Sequence, residues 1–300
     1  MTPARILITG ASGFVGPYVL AACERDFPDA TMIRGSADIT DRAAVSEMVK
    51  EARPDAVIHL AGIASVTAAR TDPDRAYAVN LNGTLNLAFT LLECQPNALL
   101  VHAGSSECYG DSFRAGVPLD ECAALAPLNT YAASKAAADL ALGALAAESG
   151  LRLVRLRSFN HTGPGQSTAF VIPAFAAQIA NIRAGTKDAV IHVGNLAAER
   201  DFLDVRDVAA AFARVIVRCE TLEPGAVFNI ASGTPRRIGD ILNMLIEASG
   251  IHIEIKTDQT LMRPVDIQRT SGNAAKAQRL LDWVPSIPFE TTLGDVLASF

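Results

Sequence analysis

Two side chains in the stretch NTYAASKAAAD, residues 129–139, could do acid–base chemistry: Tyr131 and, four residues later, Lys135. Ala132, Ala133, Ala136, Ala137 and Ala138 surround them, and alanine is the strongest helix former, so the stretch is expected to be helical. Residues four apart then share one face. A phenol with an ordinary pKa of about 10 becomes a usable proton donor or acceptor when an adjacent ammonium draws that value toward neutrality. The plain alternative is a surface tyrosine packed on a lysine stem, and so short a pattern does not choose between the two by itself.

A second candidate site opens the chain. LITGASGFVG runs from an apolar strand into Gly10, Gly13 and Gly16, with Ser12, Phe14 and Val15 in the same loop. This spacing permits a tight turn and brings backbone N–H groups against a pyrophosphate at the N-terminus of the following helix, here within FVGPYVLAACERDF. A carboxylate at the end of the next strand would bind adenosine ribose hydroxyls, whereas a cation would meet a 2′-phosphate. MIRG puts Arg34 there and no carboxylate, which favours NADP(H), with NAD(H) as the alternative. Asp38 and Ile39 of ADIT are candidates for hydrogen-bonding and apolar contact with the adenine; Asp38 is equally placed to cap a helix over DRAAVSEMV.

These groups need a scaffold, and the first half of the chain supplies one. RILITG, ATMIRG, AVIHLAG, ALLVHAG and LRLVRLRSF alternate with helical stretches, the signature of an α/β fold with a doubly wound, Rossmann-like parallel sheet. AVIHLA lacks in/out alternation, as expected of a strand buried on both faces. From residue 161 the pattern turns irregular, with one further strand in AVFNIAS. The expected organisation is a dinucleotide-binding domain over 1–160, which also receives segments from about 190–235, and a smaller C-terminal α/β substrate-binding lobe formed mainly by 161–300. Half of the 300 residues are hydrophobic, enough for a sizeable core.

The same composition excludes several roles. A net charge of −6 with no basic run argues against a nucleic-acid groove. MTPARILITGASG has no signal-type pattern, and no apolar run reaches spanning length, so no membrane partner and a cytoplasmic location are expected. Cys23, Cys94, Cys108, Cys122 and Cys219 are irregularly spaced, fitting reduced packing residues with no metal site. Leu81, Leu85, Leu87 and Leu91, together with Ala132, Ala136, Leu140, Gly143 and Ala147, form apolar helical stripes that suit a homodimer contact.

Taken together in order, the glycine triplet, HLAG at 59–62, Asn80 in VNLNGT, GSSECYG at 104–110 and YAASK resemble the extended short-chain dehydrogenase/reductase family along essentially the whole chain. The resemblance implies that Ser105, four residues before Tyr109, polarises a substrate carbonyl, with Ser106 beside it, and that Tyr131 and Lys135 are catalytic. It also implies that Leu60, Ala61, Gly62 and Asn80 line the cofactor together with Tyr131 and Lys135. Lys135 would lower the tyrosine pKa and hold the nicotinamide ribose; a shift of about three units asks about 4 kcal/mol of Lys135 and the cofactor's positive charge together.

SFNHTGPGQSTAFV, VGNLAAERDFLDVRDV and LMRPVDI are similar to the nucleotide-sugar branch, and most to the reductases of GDP-4-keto-6-deoxy-D-mannose. This implies hydride delivery to C4 of a GDP-linked deoxy-hexose, with Asn160, Arg200 and Arg263 on the diphosphate and ribose. Glu107, His161, Gln166, Phe170, Val171 and Asn195 are the further substrate contacts it implies. The plainer alternatives pair Arg200 with Asp204 or Asp207, and Arg263 with Asp266. Two departures stand out: Ser158 replaces the usual proline, and the short passage from ATMIRG to ADIT resembles dTDP-4-keto-rhamnose reductases, leaving few side chains for a 2′-phosphate. The rival readings are a GDP-mannose 4,6-dehydratase using Glu107, a sugar 4-epimerase, and a non-catalytic dinucleotide-binding sensor.

Overall fold

The computed structural model describes residues 3–262 and 267–300. Its chain begins with β1 (Arg5–Thr9), α1 (Gly16–Asp26), β2 (Thr31–Gly35), α2 (Arg42–Ala52) and β3 (Ala56–His59). Short helices α3 (Val66–Thr71) and α4 (Pro73–Tyr77) lead through a π-helical turn, Ala78–Gly83, into α5 (Thr84–Cys94) and β4 (Leu99–Ser105). A 3-10 segment, Ser106–Ala115, and a loop precede α6 (Thr130–Ser149), β5 (Leu153–Ser158) and β6 (Asn160–Thr162). Then come α7 (Val171–Arg183), β7 (Val190–Val193), β8 (Glu199–Asp204), α8 (Val205–Arg218) and β9 (Ala226–Ile230). The chain closes with β10 (Pro235–Arg237), α9 (Ile238–Ser249), β11 (Glu254–Thr257), α10 (Ala275–Leu281) and α11 (Phe289–Ala298).

Six of these strands form one parallel sheet in the order β2-β1-β3-β4-β5-β9, so the doubly wound sheet expected from the alternating pattern is present. Both faces are apolar. Ile6, Ile58, Val101, Leu156 and Phe228 meet Val19 of α1 and Val208, Phe212 and Val215 of α8 on one side. Leu7, Val57, Leu100 and Leu153 meet Val45 of α2, Leu87 and Leu91 of α5 and Leu142 of α6 on the other. Each such side chain contributes about 1.5–3 kcal/mol by leaving water. Two-sided burial is why these strands read as continuous apolar runs.

The later chain builds two small sheets, β10-β8-β6 and β11-β7, whose apolar sides join α7, α9 and α11 around Ile179, Phe202, Ile241, Leu245 and Val296. Within the expected returning span of 190–235, α8 and β9 pack in the large sheet's layers, whereas β7 and β8 pair in the small sheets. Among the described residues, no helix is long and apolar enough to cross a membrane. No group of three or more His, Cys, Asp or Glu is gathered there as a metal ion would need.

The apolar stripes split. Ala132 and Ala136 are buried inside the monomer, Leu87 and Leu91 serve the core, and Gly143 faces Arg155, whose Nη1 lies 2.7 Å from where a Cβ would stand. Leu140, at 60% exposed, and Ala147 remain open on α6, Leu81 and Leu85 are half-buried, and Phe89 of α5 is exposed although it lay outside the stripe.

Candidate active site

The strand order reverses between β1 and β3, and in such sheets ligands lie outside the C-terminal strand ends at that switch point. The loops after these two strands touch: Gly10 has φ +70°, and a Cβ there would sit 2.5 Å from Ala61 N. A Cβ on Gly16 would lie 2.1 Å from Ala11 O, so a glycine is needed for the helix to start this close to the loop. Gly13 N donates to Gly10 O (3.0 Å) and Gly16 N to Gly13 O (3.1 Å). Ser12 and Gly13 are exposed, Phe14 and Val15 half-buried. The N-terminus of α1 has no side-chain cap; Gly16 N and Val19 N are taken by Gly13 O and Val15 O and Pro17 has no N–H, so what faces the glycine loop is the positive end of an eleven-residue helix. These residues fit a dinucleotide pyrophosphate.

The rim of this crevice differs in detail from the expectation. Arg34 is exposed, one residue before the end of β2 and without an ion pair among the described residues. Asp38 does not cap α2: it accepts from Thr40 N (2.9 Å) and Thr40 Oγ1 (2.8 Å), and Asp41 is the cap. Ile39 is buried over Gly83, where an added Cβ would lie 2.6 Å from its Cγ1. Its apolar contact in the structure is with the backbone of Gly83. Asn80 also faces inward. Its Oδ1 accepts from Ile63 N (2.8 Å), while Nδ2 donates to Ser134 Oγ (2.9 Å) and Ile63 O (3.2 Å). The amide thus ties the β3 loop, with Leu60, Ala61 and Gly62, to α6 instead of reaching for a ligand.

Asn129 starts α6 by accepting from Ala132 N (2.9 Å). One face of that helix then presents Tyr131 and Lys135. Ser105 ends β4 close enough to Tyr131 for its hydroxyl to act on the phenol, and Ser105 Oγ accepts from Glu107 N (3.2 Å). Ser106 is buried next to it, and Glu107 is half-buried. A Cβ on Gly62 would stand 4.0 Å from Lys135 Nζ, so bare backbone fronts the ammonium.

The charge relation between the pair is a correction. Burial raises the Tyr131 phenol above its ordinary value; the Ser105 hydroxyl nearby opposes this, and Glu107 and Cys108 add to it. The expected lowering by Lys135 is not a property of the protein's own groups, because desolvation dominates and Lys135 Nζ donates to Ala103 O (2.6 Å). Lys135 is itself brought down to about 8 by burial, with Cys108 and Asp139 opposing.

On the far side of the crevice, β6 reaches the glycine loop. His161 stacks on Phe14 with centroids 6.2 Å apart and planes 5° from parallel, and its Nδ1 donates to Phe159 O (3.0 Å). Burial lowers its pKa, so the ring is held neutral. Asn160 is half-buried on the same strand. Gln166 is a brace: Oε1 accepts from Thr162 Oγ1 (2.8 Å) and Nε2 donates to His161 O (3.0 Å), leaving this buried amide little to offer a substrate. Phe170 is exposed at the start of α7, with Val171 next. Asn195 is exposed, its Oδ1 accepting from Ala197 N (2.9 Å).

Arg200 lies on β8, which pairs with β6, and its Nη1 donates to Glu199 O (2.9 Å) and Ile267 O (2.7 Å). The alternatives for it fail, since Asp204 binds Arg206 and Thr292 while Asp207 accepts from Ser286 and Ile287. Arg263, and the Asp266 offered as its partner, lie outside the described residues.

One cluster escaped the sequence reading. Asp139, one turn beyond Lys135 and fully buried, binds both Arg155 and Arg157 of β5. The signal was present as a lone carboxylate in an alanine-rich helix followed by two arginines spaced i, i+2, hence on one strand face. Nearby, His59 bridges Thr9 Oγ1 (2.7 Å) and Thr84 Oγ1 (3.0 Å), and its ring lies 5.7 Å from that of His102. Burial brings His59 down to about 3.

Comparison with known proteins agrees with this geometry. A family model described as GDP-mannose 4,6 dehydratase matches residues 24–296. GDP-6-deoxy-D-mannose reductase of Pseudomonas aeruginosa is 34% identical over 300 residues, spanning 99% of this chain and 97% of that protein. GDP-6-deoxy-D-talose 4-dehydrogenase of Aggregatibacter actinomycetemcomitans is 28% identical over 285 residues, spanning 92% and 91%. Among solved structures, RMD from Pseudomonas aeruginosa complexed with NADPH superposes with a TM-score of 0.88 at 33% identity over 98% of each chain. With the model match running through Ser105, Tyr131 and Lys135 and the backbone following a full-length relative, the chain belongs to the GDP-mannose 4,6-dehydratase family of extended short-chain dehydrogenases/reductases.

Proposed function

We propose that this protein reduces the 4-keto group of GDP-4-keto-6-deoxy-D-mannose to the alcohol of GDP-D-rhamnose, using NADPH in preference to NADH. The observation that carries this reading is the full-length likeness to a GDP-6-deoxy-D-mannose reductase, joined to a hydroxyl pair and an ammonium at the strand ends where a ketone would lie. Gly10, Gly13, Gly16 and the N-terminus of α1 would hold the cofactor pyrophosphate, Arg34 the 2′-phosphate and Lys135 the nicotinamide ribose. When bound, the reduced nicotinamide supplies a hydride. Ser105 donates a hydrogen bond to the C4 oxygen and polarises the carbonyl. Tyr131 then passes its proton to the developing alkoxide and is reprotonated from solvent. Its raised pKa suits this direction, because the phenol is fully protonated before the reaction.

Residues 161–300 would supply most of the sugar-nucleotide lobe. Asn160, Arg200 and Arg263 would meet the diphosphate, where a guanidinium fork matches phosphate oxygens. The molecule would work as a cytoplasmic homodimer, with α5 and α6 of two copies packed together.

One observation favours a second reading, the 4,6-dehydratase. The Glu107 carboxylate lies near enough to Tyr131 for its charge to act on the phenol, where a base for a C5 proton would be useful. Incubation with GDP-4-keto-6-deoxymannose and NADPH, followed by NMR of the product, separates the two. Reduction consumes one NADPH per 4-hydroxy sugar formed. The reductase reading fails if NADPH is untouched there, while a parallel incubation with GDP-mannose yields the 4-keto sugar without net change in cofactor.

A further inference from the structure

A buried polar chain that the proposed reaction does not use runs between the helix carrying Tyr131 and the segment carrying Ser105. Tyr131, Lys135 and Asp139 recur at four-residue intervals and share a face of α6. Asp139 is completely buried; its Oδ1 accepts from Arg155 Nη1 (2.8 Å) and Arg157 Nη2 (2.7 Å), and its Oδ2 from Arg157 Nε (3.0 Å). Arg157 Nη1 donates to the Tyr109 hydroxyl (3.0 Å) and to Glu121 O (3.2 Å). The same guanidinium lies 5.2 Å from the centroid of the Tyr109 ring. Tyr109 in turn donates to Asn229 Oδ1 (2.7 Å) on β9. One guanidinium therefore grips two elements, α6 through Asp139 and the 3-10 segment through Tyr109.

We propose that Arg157 and Tyr109 are positioning residues that hold Ser105 in hydrogen-bond reach of Tyr131. This rests on the roles given to Ser105 and Tyr131 under the proposed function. Ser105 ends β4 and leads straight into the segment that Tyr109 anchors, whereas Tyr131 belongs to a helix after a long loop. The two hydroxyls can meet one carbonyl oxygen only while segment and helix keep their spacing, and a misplacement of about 1 Å can cost about a hundredfold in rate. A bidentate arginine–carboxylate pair sets geometry more tightly than an apolar contact. It is a poor device for stability alone, because apolar residues of like volume often serve as well. The pairing Ser105↔Ser158 in the β4–β5 ladder, next to Arg157, brings the clamp to the same strand end.

Tyr109→Phe is the clean test, because it removes one hydroxyl and leaves the ring and the Asp139–Arg157 pair. We expect kcat to fall about tenfold or more while KM for the cofactor changes by less than about twofold. The alkaline limb of the kcat profile should move to higher pH, since a Ser105 hydroxyl drawn away from the phenol opposes less the burial that raises Tyr131. The other charged or titratable groups acting on that phenol, Glu107 and Cys108, are untouched. Arg157→Lys, which keeps charge but loses the fork, should show the same signature. A Tyr109→Phe enzyme with wild-type kcat and profile overturns the proposal. So does one whose kcat falls in step with Tm while the profile stays put. Tyr131→Phe measured alongside separates the two readings: if it stays active the proton-donor role itself fails, and if it is dead while Tyr109→Phe is wild-type only the positioning role fails.

Discussion

Replacing Lys135 by methionine keeps most of the stem's bulk and removes a charge that the fold holds at a cost. Lys135 is 7% exposed, and burial brings its pKa from 10.5 to about 8. Below the folded value both folded and unfolded chains carry the proton, so the folded state bears the whole desolvation penalty. Between the two values only the unfolded chain is still protonated, and the penalty fades as pH rises. At about 1.4 kcal/mol per pKa unit the penalty is about 3 kcal/mol at pH near 7 and falls to about 1 kcal/mol near pH 9.5. Losing the bond from Nζ to Ala103 O shifts the variant's stability by a pH-independent amount of about 1 kcal/mol, leaving that difference intact. Wild type should therefore gain about 2 kcal/mol on Lys135→Met between roughly pH 7 and 9.5. Urea unfolding of both proteins at each pH reads this directly, and every other titrating group cancels in the comparison. A gap that does not change with pH, or changes in favour of the variant, would refute the reasoning. The variant should meanwhile lose turnover and bind cofactor less tightly.

Arg34→Ala should weaken NADPH more than NADH in fluorescence titration, because only NADPH carries the phosphate we propose Arg34 meets; equal weakening would make the arginine a bystander. Leu140→Arg puts a charge at the most exposed apolar position of α6 and should convert a dimer to monomer in light scattering at micromolar concentration; a wild-type monomer there would remove the dimer altogether.

The large sheet was legible because its strands are buried on both faces and therefore read as short apolar runs between helices. The glycine loop was legible because Gly10 and Gly16 stand where a Cβ would strike Ala61 and Ala11, so their type is dictated by backbone contact. What stayed hidden depends on partners distant in sequence. Arg155 and Arg157 look like the solvent side of a strand until α6 brings Asp139 over them. Asp38 and Asp41 are equally good caps on paper, and only the loop geometry picks Asp41. Asn80 and Gln166 carry polar side chains beside a crevice, yet both are spent holding backbone. The π-helical turn that aims Asn80 inward has no compositional marker.

The order in which the sheet is completed has a consequence for synthesis. β5 pairs with β4 as soon as both exist, but its other neighbour, β9, follows only after the chain has gone out through β6, α7, β7, β8 and α8. Until then β5 is an open parallel edge on the nascent protein, the kind of surface that recruits strands from other chains. Arg155 and Arg157 sit on that strand with their charge already drawn under α6 by Asp139. Arg155 Nη2 also donates to Gly225 O (2.7 Å), one residue before β9, so the same cluster marks where the returning strand must land to close that edge.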